Sequence, residues 1–172
     1  MQRMVLILLI MLLAHGTSCG QSSGSTSFLV RVADSATGKY GYRDQAGTLV
    51  IPLGKYPVCF TDTFRYYAIV SKPGQGIVGI DRQEHVLYPV FIFDNGPDEA
   101  QGRLFRIQVD GKIGYADAVT GKVMIPPRFA CAWPFENKKA KVALDCQTRK
   151  DGEYHTWISD HWFYIDDKGR RL

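Results

Sequence analysis

Apolar and polar residues alternate along this chain in short bursts with no helical spacing, after one unbroken apolar stretch at Met4–Ala14. Phe28-Val30-Val32, Phe105-Ile107-Val109 and Ala140-Val142-Leu144 place apolar residues at every second position, with Arg, Gln or Lys between several of them. A period of two puts each set on one face of a strand. A second short strand then sets two large side chains around a small one, as Tyr40-Gly41-Tyr42, Val78-Gly79-Ile80 and Ile113-Gly114-Tyr115. Trp162-Phe163-Tyr164 occupies the corresponding place near the C-terminus. The flanking pair shares one face, and the glycine leaves the other bare for a backbone or a ring to approach.

A turn follows. Asp44-Gln45-Ala46-Gly47 and Asp166-Asp167-Lys168-Gly169 have the same form, with Asp capping the turn and Gly taking the left-handed position. Asp117–Gly121 is one residue longer, and Glu84 stands where Gly is expected, which predicts an irregular second turn. Beyond each turn an apolar run ends at proline: Leu49–Pro52, Val86–Pro89 and Val123–Pro126. Proline cannot donate to a ladder, so it marks a strand end or an edge.

The pattern comes round four times, as Gly38–Pro52, Gly74–Pro89, Gly111–Pro126 and a shortened His161–Gly169. Self-similarity of this kind predicts one small unit copied in tandem. The expected fold is all-β: about four three-stranded antiparallel units, roughly twelve short strands, in a barrel-like ring or an open stack.

These residues resemble the WG (tryptophan–glycine) repeat family, whose unit runs Gly-Lys-Trp-Gly-Tyr-Ile-Asp, a short gap, Gly, and an apolar run to Ile-Pro. Gly38, Lys39, Gly41, Tyr42, Asp44, Gly47, Ile51 and Pro52 sit on that pattern, as do Gly111, Lys112, Gly114, Tyr115, Asp117, Gly121, Ile125 and Pro126. Tyr40, Val78 and Ile113 replace the eponymous tryptophan, while Trp162 keeps it beside Phe163 in the glycine place. The resemblance implies a β-rich repeat protein, frequently exported in bacteria, with no shared enzymatic activity.

The N-terminus sets the compartment. Arg3, the apolar run and then Gly16, Thr17 and Ser18 before Cys19 have the three-part layout of a secretory signal. The run is well short of the roughly 20 residues that span a bilayer. Residues 1–18 therefore read as a signal peptide. The Ser18-Cys19 junction resembles a bacterial lipobox, making Cys19 the lipid attachment point of an envelope lipoprotein, periplasm-facing or on the outer surface. The alternative is a secreted protein with Cys19 as its first mature residue. Residues 19–27 form a Gly/Ser-rich tether, and 28–172 the repeat domain. Membrane contact is expected through the anchor only.

The net charge of +4 is spread among mixed residues and supplies no basic stripe for nucleic acid. No nucleophile elbow, HExxH or phosphate loop is present. Cys146, His155 and His161 are zinc-type ligands in type, but their spacing matches no compact motif. No catalytic residue, metal or cofactor is expected. Cys59, Cys131 and Cys146 are odd in number, so any internal bridge leaves one free. Cys131 and Cys146 flank one strand and are the pair a bridge would use; the other reading is three small buried thiols. The longest interruption of the repeat, between Leu144 and Trp162, carries Tyr154 and Trp157. With Trp133 these aromatics form the expected binding surface.

The sequence thus points to a non-enzymatic envelope repeat protein offering a β-surface to an unidentified envelope protein. The second reading is an envelope glycan-binding module using Trp133, Tyr154 and Trp157.

Overall fold

In a computed structural model, residues 27–152 and 154–172 are described, and among them every regular element is a strand. The first five are β1 (Leu29–Ala33), β2 (Tyr40–Arg43), β3 (Leu49–Ile51), β4 (Val58–Cys59) and β5 (Thr63–Phe64). Then come β6 (Ala68–Lys72), β7 (Gly76–Ile80), β8 (Val86–Pro89), β9 (Ile92–Phe93) and β10 (Gly96–Pro97). The third group is β11 (Leu104–Val109), β12 (Lys112–Asp117), β13 (Val123–Phe129) and β14 (Cys131–Ala132). The last is β15 (Ala140–Ala143), β16 (Gln147–Asp151), β17 (Tyr154–Ile158) and β18 (Phe163–Ile165).

Three antiparallel meanders, β1-β2-β3, β6-β7-β8 and β11-β12-β13, are each built from consecutive strands. A fourth pairs β15 directly with β18, and the β16–β17 hairpin projects between them as an arm. The chain leaving one meander becomes the edge of the next: β4 joins β6, Val90 bridges Ile107, and β14 joins β15. β1 receives the same service from β5, which lies later in the chain. The sheets do not close into a barrel.

Three clusters make up the core. Leu29, Tyr42, Ile51, Phe64, Val70 and Ile80 fill the first. Tyr88, Phe105, Ile107 and Ala116 join the second meander to the third, and Ile113, Tyr115, Ile125, Phe129, Val142 and Ile165 join the third to the fourth. The period-two pattern fixes β1 as a strand but gives the wrong inner face. Leu29 is buried, whereas Val30 is exposed and Phe28 and Val32 are half-buried. Val32 pairs with Gly41, on the face opposite the buried Tyr42, so that face looks outward. Leu144 is likewise exposed beyond the end of β15.

The second turn is regular. Asp81 N donates to His85 O at 3.0 Å and Glu84 N to Asp81 O at 3.0 Å, matching Asp44 with Thr48 and Asp166 with Arg170. Glu84 takes the left-handed position itself, at φ 65°. Its carboxylate accepts hydrogen bonds from Lys55 Nζ at 2.7 Å and Tyr56 Oη at 2.6 Å. Those contacts tie the segment after the first meander to the turn of the second and offset the steric cost of a non-glycine residue there.

Candidate binding site: an aromatic groove over the last sheet

Alternation along β15 turns Ala140 and Val142 into the core and leaves Lys139 and Lys141 facing out. Lys141 pairs across the ladder with Tyr164 of β18, which is 44% exposed, and Trp162 precedes that strand. On the other side of β15, Trp133 N donates to Lys141 O at 2.9 Å, setting the Trp133 side chain, 46% exposed, beside the same face. Trp157, on β17 of the arm, completes the wall. Its ring meets Trp133 edge-on at 5.5 Å and Phe91 edge-on at 5.9 Å. All three tryptophans of the chain therefore line one open groove of about 320 Å³, with Tyr164, Lys139, Lys141, Glu136 and Asn137.

Lys141 Nζ lies 5.0 Å from the Trp162 ring centre and Lys139 Nζ lies 4.7 Å from that of Tyr164. Each ammonium sits where the ring quadrupole attracts it. The tight Asn137-Lys138 turn, with both residues at positive φ, brings Glu136 and Lys139 together at the groove's end. Next to it a wider depression of about 840 Å³ shares Trp133, Pro134 and Glu136 and adds Phe93 and Arg106. Arg106 is buried there. It forms a two-point ion pair with Asp98, donates to Ala132 O at 3.2 Å and lies 4.3 Å from the Phe91 ring centre.

The arm is held at its base. Cys131 and Cys146 form a disulfide with 5.9 Å between Cα atoms, and Cys59 remains a buried thiol. Beside the bridge, His161 Nδ1 lies 2.8 Å from Asp145 Oδ2, which raises the imidazole pKa and lowers that of the carboxyl. Ser159 Oγ is near the other carboxylate oxygen at 3.5 Å and accepts from His161 N at 3.0 Å. The serine thus meets the acid and a backbone amide, which is not the order of a nucleophile relay. With Cys146 Sγ bonded to Cys131, it offers no thiolate for a metal beside His161. Among the described residues no group of three His, Cys, Asp or Glu side chains converges.

Of the residues singled out in the sequence, Trp133 and Trp157 meet in the groove. Tyr154 opens β17 opposite Asp151, and its side chain lies outside the described residues, as does that of His155. Cys19 also lies outside them. Lys139, Lys141, Tyr164 and the Asp98–Arg106 pair were not foreseen as site residues. For the lysines a signal exists: Lys-Ala-Lys-Val alternates, so one face of β15 had to be basic. Comparison with known proteins gives no matching family model, no matching characterised protein and no matching solved structure.

Proposed function

We propose that this is a non-catalytic cell-envelope module that binds another protein through the groove of the last sheet. The observation that carries the reading is the gathering of all three tryptophans with Tyr164 at one open, polar-rimmed depression. Large aromatic side chains supply contact area at small entropic cost and are enriched at protein interfaces. The edge strands add exposed apolar pairs at matching places, Leu49/Val50, Val86/Leu87 and Val123/Met124. Export fits the leader-like N-terminus and the Cys131–Cys146 disulfide, since such bonds persist in oxidising compartments. In this reading residues 1–18 are removed, Cys19 is acylated, and the four segments are copies of one WG-like unit, each contributing a meander of similar register.

The groove is less suited to the glycan reading. A platform for sugar rings offers flat, open faces, whereas Trp133 and Trp157 stand edge to face and lysines cover Trp162 and Tyr164. The exposure of Trp133 keeps that reading as the alternative. The test is retrieval from native envelope with the anchored protein, compared with the Trp133→Ala/Trp157→Ala double variant. A partner lost in the variant is the expected result. Saturable binding of an oligosaccharide and no protein partner would reverse the order of the two readings.

A further inference from the structure

Three cross-strand pairs occupy the same place in three of the meanders: Arg31 with Tyr42, Arg106 with Tyr115, and Lys141 with Tyr164. In each, the backbone of the basic residue bonds away from its tyrosine, to the strand on the other side. Arg31 N donates to Asp62 O, Phe91 N to Arg106 O, and Trp133 N to Lys141 O. Equal hydrogen-bonding position and direction put the three pairs on the equivalent face of their sheets.

On the first two, that face is covered by a stretch of the chain itself, held by its carbonyls. Arg31 donates to Cys59 O at 2.8 Å and Tyr42 Oη to Thr61 O at 2.8 Å. Arg106 donates to Ala132 O at 3.2 Å and Tyr115 Oη to Trp133 O at 2.7 Å. In both, an aromatic ring a little further along the covering stretch meets the tyrosine edge-on: Phe64 at 5.4 Å from Tyr42 and Phe135 at 4.8 Å from Tyr115. A basic residue and a tyrosine thus grip two main-chain oxygens, and a trailing aromatic residue fills the space beside the ring.

Lys141 and Tyr164 carry the same two donors, with Tyr164 exposed and the tryptophan groove beside it. Building on the protein-binding reading, we propose that this pair is a docking site for an extended peptide segment of a partner protein. The segment presents two carbonyl oxygens to Lys141 Nζ and Tyr164 Oη and lodges an aromatic side chain among Trp133, Trp157 and Trp162. Main-chain oxygens give the affinity and the aromatic residue the specificity, as in other modes of extended-peptide capture.

The protein's own covering stretch supplies the probe: a synthetic peptide of residues 59–65 with Cys59→Ser, which includes Thr61 and Phe64 and no tryptophan. Because every tryptophan lines the groove, intrinsic fluorescence reports its occupation. A saturable change is expected, weakened about three- to tenfold by Tyr164→Phe, by Lys141→Met or by Phe64→Ala in the peptide, the range one hydrogen bond or one packed ring supplies. Tyr164 is exposed, so its loss of a hydroxyl leaves the fold intact. Absence of peptide binding, binding equal in all variants, or a response to an oligosaccharide in the peptide's place overturns the docking site. A photo-crosslinker at Met124, on edge strand β13, and another at Trp133 separate two failures. A protein captured at Met124 when the peptide does not bind overturns the groove alone; no capture at either position overturns protein binding as well.

Discussion

The hydroxyl of Tyr115 donates a 2.7 Å hydrogen bond to the carbonyl oxygen of Trp133, so a core tyrosine of the third meander positions the backbone of a groove residue in the fourth. Tyr115 is completely buried while Trp133 is about half exposed. The same bond joins Tyr42 to Thr61 at 2.8 Å in the first meander, where the acceptor carbonyl belongs to a threonine.

Tyr115→Phe removes that donor and leaves a partly buried carbonyl unsatisfied. The expected cost is about 1–3 kcal/mol in urea melts. Tyr42→Phe should cost a similar amount. Tyr115→Phe should shift the tryptophan emission more than Tyr42→Phe does, because only its acceptor belongs to a tryptophan. An emission change of equal size in both variants would show that Tyr115 does not position Trp133.

The Cys131–Cys146 bridge closes a stretch with a sequence separation of 15 and fastens the root of the β16–β17 arm. Cross-linking a loop of that length stabilises by about 3 kcal/mol in the chain-entropy account. A Cys131→Ala/Cys146→Ala variant should therefore melt lower. It should also lose part of the edge-on contact between Trp133 and Trp157, visible in near-ultraviolet circular dichroism. A lower melt with an unchanged aromatic spectrum would mean that the bridge stabilises the sheet without positioning the arm.

Asp98 and Arg106 are both buried and bonded to each other at two points, while Arg106 also reaches Ala132 O. Asp98→Ala strands the guanidinium in the interior and should cost about 3–5 kcal/mol. Replacing both, as Asp98→Leu with Arg106→Met, removes the buried charges together and should cost less than the single change. Denaturant melts of the two variants give the comparison, and a double variant weaker than the single one would assign Arg106 a larger role through Ala132 and Phe91.

His161 and Asp145 shift in opposite directions. The hydrogen bond that His161 donates to Asp145 raises the imidazole above its ordinary 6.5, so its contribution is complete below that pH and lost as pH rises through the higher folded value. The hydrogen bond from His161 lowers Asp145 below 3.8, so that contribution is present above this pH and lost as pH falls through the lower folded value. The pair is thus complete between these two ordinary values. Both side chains are largely exposed, so the effect on the melt is small. Titration of His161 by NMR should show its elevated pKa fall towards 6.5 in Asp145→Asn; an unchanged value would mean that the contact is absent in solution.

Strand centres and turns were legible because each follows from local chemistry. The Asp that caps a turn is two to four residues from the groups it bonds, as Asp81 is from Gln83 and Asp44 from Thr48. Gly41 and Gly114 could be read as close-approach positions without knowing what approaches. Inner and outer faces were less legible. The inner side of β1 is set by Phe64, thirty-five positions after Leu29, through a pairing no local pattern announces. The groove needed the same long-range knowledge: Trp133, Trp157 and Trp162 become neighbours only once β14, β15 and β18 form one sheet and the arm folds over it. Glu84 shows the opposite case, where a rule about glycine gave way because Lys55 and Tyr56 hold the carboxylate from outside the turn.

The glycines of the central strands give the last prediction. A Cβ built on Gly114 would collide with Ile125 O and lie 2.5 Å from Pro127 N, and on Gly41 it would lie 2.6 Å from Ile51 O. Both obstacles are main chain of the bulged third strand, which cannot move without breaking the ladder. On Gly79 the obstacle is the Tyr88 ring at 2.7 Å, anchored by Tyr88 Oη to Gly121 O at 2.7 Å. Valine is the better strand former, so propensity alone predicts a gain from Gly→Val. Overpacking opposes it by about 1–3 kcal/mol. Backbone cannot swing aside as a ring can, so Gly41→Val and Gly114→Val should destabilise more than Gly79→Val. Gly114→Val should be the worst, having three main-chain atoms inside 3 Å where Gly41 has one. Thermal melts rank the three, and a neutral or stabilising Gly114→Val would remove the close strand approach on which the meander geometry depends.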